Sequence, residues 1–288
     1  MTAADSQRWR GLVLALAIAP VLGLAQAPTG KEDFQPEVGQ AGKDVIWVPT
    51  PDFLVERMLQ MAQVGQNDLV VDLGSGDGRT VIAAVKKFHA NAVGIEFNPD
   101  MVALSRRNAQ KEGVSSDAMF IEADIFESDF HKATVVTMYL LPDLNLRLRP
   151  KLLEMKPGTR LVSHQFTMGE WQPDETSNFD GRTAYFWMVP ARVEGDWKLS
   201  YGGNAKVERA INLKQTFQKV EGAIVSGTAR LGLRDLRLRG DRFEFSFVDD
   251  RGALCEFSGR VLRNTIAGSV RIAGKPAGAF RAERARAG

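Results

Sequence analysis

The octapeptide Asp72-Leu73-Gly74-Ser75-Gly76-Asp77-Gly78-Arg79 constrains this chain more than any other stretch. It closes Asp68-Leu-Val-Val-Asp72-Leu73, a short apolar run with β-branched residues that starts after Gly65-Gln66-Asn67. Such a run reads as a strand buried on both faces of a parallel sheet. Thr80 to Phe88 then reads as a helix. Strand, glycine-rich turn and helix are the first half of a nucleotide-binding unit in a doubly wound α/β sheet. Gly74 and Gly76 let the backbone turn tightly and approach a ligand with no Cβ in the way. Gly78 lets the helix pack close to the strand.

The spacing is G-x-G-x-G, not the G-x-G-x-x-G that cradles a pyrophosphate. Asp72 directly before it would repel a pyrophosphate. It suits S-adenosylmethionine (SAM), whose ammonium group a carboxylate can meet directly or through water. Ala92-Val-Gly-Ile-Glu96 reads as a second strand, and Glu96 at its end can accept both ribose hydroxyls. A helix begins at Asn98-Pro99-Asp100, with a capping residue and Pro at its first position. Ala118 to Ala123 reads as a third strand. Asp124 after it can accept from the adenine amino group, and Ile125 can stack on the ring. Singly, each acid has a structural alternative as helix cap, exposed strand end or turn residue. Three of them at successive strand ends of one βαβαβ pattern select the ligand reading, because open α/β sheets bind at that edge. The expected cofactor set is Asp72, Gly74, Ser75, Gly76, Glu96, Phe97, Asp124, Ile125 and Tyr139.

Ala133 to Leu140 reads as a fourth strand ended by Leu141-Pro142, Leu144 to Met155 as a helix stopped near Pro157-Gly158, and Thr159 to His164 as a fifth strand. His164 is a base, a residue that orients substrate, or a structural histidine bonded to nearby backbone. Gln165 to Trp171 is a candidate pocket cover. Trp47-Val48-Pro49-Thr50-Pro51 precedes a helix from Asp52 to about Ala62, with Thr50 and Asp52 as possible caps.

Across residues 45–173 the motifs Val48-Pro-Thr-Pro51, Asp72 to Arg79, Gly94-Ile-Glu96, Thr137-Met-Tyr-Leu-Leu-Pro142, Leu148-Arg-Pro-Lys-Leu152 and Lys156 to His164 stand in order. The chain thereby resembles class I SAM-dependent methyltransferases. It resembles more closely the lysine methyltransferases of the ATP synthase c-subunit and the adenine nucleotide translocase, with their prokaryotic relatives. The glycine motif is common to the whole class, whereas Tyr-Leu-Leu-Pro and Leu-Arg-Pro-Lys-Leu are far more specific. The resemblance implies a Rossmann-like sheet with helices on both faces and SAM as cofactor. It implies an acceptor lysine on a protein, membrane-associated proteins included. It also implies that residues 47–51 fold over the methionine end of the cofactor and that the loop after the fourth strand faces the methyl group. Tyr139, Leu140 and Pro142 then line an amine channel, and Tyr139, Pro142 and His164 are the catalytic candidates. Two alternatives stand beside it: a small-molecule methyltransferase, and a non-catalytic SAM- or nucleoside-binding module outside the cytoplasm.

Arg8 and Arg10, the apolar run Gly11–Ala25 and the small-x-small site Ala25-Gln26-Ala27 read as a secretory signal peptide over residues 1–27. An uncleaved membrane anchor is the alternative. Either way the protein is expected to be exported to the periplasm or anchored by this segment, in conflict with SAM being made in the cytoplasm. Residues 28–44, rich in Gly, Pro and charge, read as a linker. Residues 45–190 form the methyltransferase domain and residues 191–288 a small antiparallel, barrel-like β domain. There, Trp197–Tyr201, Ala210–Phe217, Lys219–Val225, Arg242–Val248, Leu254–Phe257 and Ser269–Ile272 alternate apolar and polar residues. Charge divides along the same line, with 19 Lys/Arg against 11 Asp/Glu in 191–288 and 18 against 24 in 1–190. The basic half reads as a solvated arginine-rich surface, or as one suited to an acidic partner or an anionic membrane. A nucleic-acid partner is not expected. The single cysteine, Cys255, excludes an internal disulfide, and the three histidines have no metal-ligand spacing.

Overall fold

The computed structural model describes residues 34–202 and 207–285. The expected signal peptide, and residues 28–33 of the expected linker, lie outside the described residues. The described residues from 35 onward make one compact unit built on two sheets.

The first sheet has seven strands: β1 (Leu69–Leu73), β2 (Asn91–Glu96), β3 (Ala118–Glu122), β4 (Val135–Met138), β5 (Arg160–His164), β6 (Glu175–Phe179) and β7 (Arg182–Met188). Their order is β3-β2-β1-β4-β5-β7-β6. The first five are mutually parallel, and β7 runs antiparallel to β5 and to β6. Four helices connect or precede them: α1 (Asp52–Met61), α2 (Arg79–Phe88), α3 (Pro99–Lys111) and α4 (Pro142–Leu153). Alternate strand residues feed opposite faces, as the two-residue strand period requires. Val70, Val135 and Val162 pack with α1, α2 and α3. Val71, Val136 and Leu161 pack with Leu148 and Leu152 of α4 and with Trp171 and Trp187. With both faces covered, the C-terminal ends of the parallel strands are where an open α/β sheet of this kind binds ligands.

The β6–β7 hairpin was not read from the sequence. Its turn, Asp180-Gly181, has φ of 49° and 70°, and the Asp-Gly pair that favours such a turn was its signal. The Thr50 and Asp52 caps are not formed: α1 starts after Pro51 with no side-chain cap bond. Thr50 spends its hydroxyl on His164 instead, and Asp52 lies 3.8 Å from Arg79. α3 does have its expected cap, with the Asn98 side chain accepting from the Asp100 and Met101 amides.

The second sheet has nine antiparallel strands: β8 (Gly195–Tyr201), β9 (Val207–Thr216), β10 (Lys219–Ser226), β11 (Ala229–Gly232), β12 (Arg234–Arg239), β13 (Arg242–Val248), β14 (Leu254–Leu262), β15 (Thr265–Ile272) and β16 (Lys275–Arg284). The order β11-β10-β9-β8-β16-β15-β14-β13-β12 puts chain neighbours β11 and β12 on the two edges. Between them, the Leu233 amide donates to Gly222 of β10, so the sheet nearly closes on itself and hides its edges. Its interior is filled with rings. Phe257 packs on Phe245 at 4.7 Å, Phe247 at 5.4 Å, and Tyr201 and Phe280 at 5.2 Å each. The barrel docks through Phe217, stacked on Trp171, and through Gly240 against Gly158, just before β5. Gly158 lies at the N-terminal ends of the parallel strands, so that contact faces away from the open edge. No described helix is long and apolar enough to cross a membrane.

Candidate active site

A cavity of about 330 Å³ opens at the C-terminal ends of β1, β2 and β4, within the size range of small-ligand sites. Asp72, Gly74, Ser75, Gly76, Glu96, Phe97, Asp124, Ile125 and Tyr139 all line it. No described residue of the barrel does.

The glycine loop is held from behind. Ser105 and Asn108 of α3 donate to the carbonyls of Gly76 and Asp77 at 2.7 and 2.9 Å. Gly76 has φ +54°, and a Cβ there would lie 2.7 Å from Trp47 Nε1. Gly78 starts α2 at φ +83°, and its Cβ would lie 2.7 Å from the Phe120 ring of β3. Only glycine satisfies both the left-handed backbone and the close neighbour at these positions. Ser75 contributes backbone to the cavity wall. Its buried hydroxyl has no hydrogen-bond partner and packs towards Gly94, where a Cβ would lie 2.5 Å away.

The three acids sit in different surroundings. Asp72 is 7% exposed and accepts from Thr137 Oγ1 at 2.6 Å. Burial pushes its pKa up to about 7; bonds from Thr137 and Thr80 oppose this, and Glu96 and Asp77 add to it. Glu96 is fixed by two backbone amides, Gly76 N at 3.0 Å and Asn98 N at 2.9 Å. Asp124 accepts from Lys43 Nζ and from the Phe126 amide at 2.9 Å. Its pKa is lowered, first by Lys43 and then by that amide. Lys43 also lies over the Phe97 ring, 4.6 Å from its centroid.

Lys43 belongs to a segment that the sequence reading assigned to a linker. Residues 39–47 instead form a small hairpin, with Gly39 N bonded to Trp47 O, Trp47 N to Gln40 O, and an Ala41–Ile46 bridge. Residues 40–50 line the cavity. Gly, Asp and Lys suit the tip of a two-stranded turn as well as a linker, and composition does not separate the two. Arg79 ties this segment to the loop, donating to Asp77 Oδ2 at 2.6 Å and to Thr50 O at 3.1 Å. Trp47 falls in the stretch expected over the methionine end, whereas Lys43 and Arg79 were missed as site residues. Their only signal was position, next to Val48-Pro-Thr-Pro51 and at the end of the glycine motif.

Tyr139, Leu140, Leu141, Leu144 and Phe166 form the apolar end of the cavity. Two catalytic candidates fall outside the lining. Pro142 is the exposed first residue of α4, where a fixed φ and an absent N–H fit helix initiation. His164 is fully buried behind Tyr139, with ring centroids 3.8 Å apart. Of the expected cover, Phe166 reaches the cavity, while Trp171 is buried against Trp187 and Phe217. Among the described residues no cluster of His, Cys, Asp or Glu could hold a metal.

The family model of the ANTKMT methyltransferase domain matches residues 72–175, from the first strand's acid to the start of β6. A protein-lysine N-methyltransferase of Saccharolobus islandicus is 44% identical over 151 residues, which is 50% of this chain and 94% of that protein. The ATP synthase C-subunit lysine N-methyltransferase of Rattus norvegicus is 38% identical over 151 residues, 52% of this chain and 69% of that protein. A solved RNA methyltransferase from Salinibacter ruber, in complex with S-adenosyl-L-homocysteine, is 50% identical. It superposes with a TM-score of 0.50, covering 51% of this chain and 96% of that one. With strand order, acidic triad and glycine cradle in place, these likenesses make the chain a member of the SAM-dependent protein-lysine N-methyltransferase family.

Proposed function

We propose that the cavity transfers a methyl group from SAM to a lysine side chain of a protein, with the cofactor spread along Asp72, Glu96 and Asp124. The residues fit the group. A nearly buried carboxylate, Asp72, matches an ammonium, Glu96 is pinned beside the loop, and the left-handed Gly76 on the cavity wall leaves a gap towards Trp47 that a Cβ would fill. In this reading Gly74, Ser75 and Gly76 lend backbone to the methionine end. Phe97 and Ile125 flank the adenine, and Tyr139 borders both cofactor and acceptor. When bound, SAM supplies an electrophilic methyl on a sulfonium.

The chain's own residues do the rest by placement. Tyr139, Leu140, Leu141, Leu144 and Phe166 give the acceptor an apolar approach. There the ammonium form of lysine is disfavoured by desolvation and the neutral amine presents its lone pair. The aromatic face of Tyr139 stabilises the positive charge that grows on the nitrogen. Pro142 acts at one remove, by fixing where α4 starts and so how Leu141 and Leu144 face the cavity.

The observation that carries the lysine reading is the charge of the site. Asp44, Asp72, Asp77, Glu96 and Asp124 line the cavity against Lys43 and Arg79, a net negative lining, and residues 1–190 hold 24 acidic against 18 basic residues. Such a surface attracts a cationic amine and repels a polyanion. The test is incubation with methyl-labelled SAM and separate protein and RNA fractions of the source cells. Label in methyl-lysine, identified by mass spectrometry, supports the reading, while label confined to RNA, or to small molecules, overturns it. On residues 1–27 alone we further propose export or membrane tethering, which fractionation of a tagged full-length protein tests. We take residues 45–190 as the catalytic part and 191–288 as an appended domain.

A further inference from the structure

His164 sits one layer behind the cavity wall. It ends β5, is completely buried, and lies face to face with Tyr139 at 3.8 Å and a 33° tilt. Its Nδ1 is 3.0 Å from the Thr50 hydroxyl, which comes from the segment before α1. Its Nε2 has no partner. A general base must reach the proton it removes, directly or through one water. His164 is not on the lining, and the Tyr139 ring covers its face. We propose that His164 is a positioning residue: held by Thr50, it fixes the ring plane of Tyr139 beside the acceptor amine and takes no proton from substrate.

The surroundings agree on its charge. Burial lowers its pKa to about 4, and the Arg182 guanidinium on β7 works in the same direction. Tyr139 just after β4 and Thr50 before α1 offer it no negative charge. The tautomer follows from the orphaned nitrogen. A buried N–H without a partner is rarer in folded proteins than an unfilled acceptor. The proton therefore belongs on Nδ1, donated to Thr50 Oγ1, and Nε2 is bare. Three separate chain segments then meet in one contact: Thr50, Tyr139 and His164. Displacing a positioned group by about 1 Å can cost about 100-fold in rate, so a loosened Tyr139 lowers turnover more than cofactor affinity.

The inference rests on the acceptor amine lying beside Tyr139, and the experiment has one arm that does not. In ¹⁵N-histidine-labelled protein, saturated with S-adenosylhomocysteine, the His164 ring should give the Nδ1–H pattern unchanged from pH 5.5 to 8. A titration inside that window, or an Nε2–H pattern, would overturn the proposal whatever the acceptor proves to be. The second arm measures methyl transfer to poly-L-lysine. His164→Ala should lower kcat by about 10- to 100-fold while the SAM dissociation constant, by calorimetry, moves less than about threefold. His164→Phe keeps a flat ring against Tyr139 and should restore kcat to within about fivefold of wild type, with the same pH–rate profile. If His164→Phe falls as far as His164→Ala, or abolishes a rate limb near pH 6–7 seen in the wild type, the nitrogen matters and the proposal is wrong. Should the ring variants misfold, Thr50→Val with the nitrogen spectrum decides. Its predicted outcome is an altered His164 signal with kcat within about fivefold of wild type and unchanged SAM affinity, and an unchanged signal, or a kcat as low as that of His164→Ala, would contradict it.

Discussion

The two sheets solve the burial of apolar side chains in opposite ways, and function follows from the difference. The seven-stranded sheet is covered by helices on one face and by α4 with two tryptophans on the other. Its strand ends stay open, and polar loops meet there around a cavity. The nine-stranded sheet closes almost fully and fills its own centre with Phe243, Phe245, Phe247, Phe257 and Phe280. An interior packed with rings has no room for a ligand. Their charges are opposite as well. A parallel sheet leaves a site as a by-product of its topology, whereas this antiparallel one, filled by its own rings, leaves its outer surface.

The comparison breaks most visibly in the barrel core. Phe257→Ala removes the ring at the centre of the aromatic cluster and should destabilise the protein by about 3–5 kcal/mol, read from chemical denaturation. SAM affinity measured on the folded fraction should stay within about twofold. A large affinity loss without unfolding would show that the two sheets are not separable in function.

On the other side, Asp72→Asn should weaken SAM binding by about 30-fold or more, the cost of removing one member of a buried charge pair. The wild-type affinity also carries a sign. With the free carboxyl at about 7, a cationic ligand must first find it ionised. Binding should therefore tighten about tenfold per pH unit as pH rises towards 7 and level off above. Calorimetry across pH 5.5–8.5 checks this, and Asp72→Asn should flatten the slope.

Lys43→Met gives the smallest effect. Lys43 occupies Asp124, the carboxylate assigned to the adenine amino group, so the pair must part when the cofactor binds. An exposed ion pair contributes about 0.2–1 kcal/mol, so the variant should bind S-adenosylhomocysteine up to about fivefold more tightly. Weaker binding would mean that Lys43 stays as a ligand contact.

The parts legible in the sequence were those fixed by local rules. The glycines follow β1 and the acids stand at the C-terminal ends of β1, β2 and β3, so Asp72, Glu96 and Asp124 could be brought together from spacing alone. The barrel strands with clean alternation were also readable. Others were not. Arg234-Asp-Leu-Arg-Leu-Arg239 carries so much charge that β12 looks like a loop, and Pro276 and Gly278 disguise β16. Long-range pairings were beyond reach. Lys43 and Asp124 are 81 positions apart, and Thr50 and His164 are 114 apart. Nothing in either segment announces its partner, and so the hairpin read as a linker and the histidine stayed open between base, orienting residue and structural histidine.

Glu96 offers the most direct test of the account, because it alone joins the cofactor's expected ribose to the glycine loop through Gly76 N. Isothermal calorimetry should find one SAM bound per wild-type chain and, in folded Glu96→Ala, an affinity lower by at least about tenfold, since hydrogen bonds to a charged group contribute about 1.5–3 kcal/mol. Equal affinity in the two proteins would contradict it.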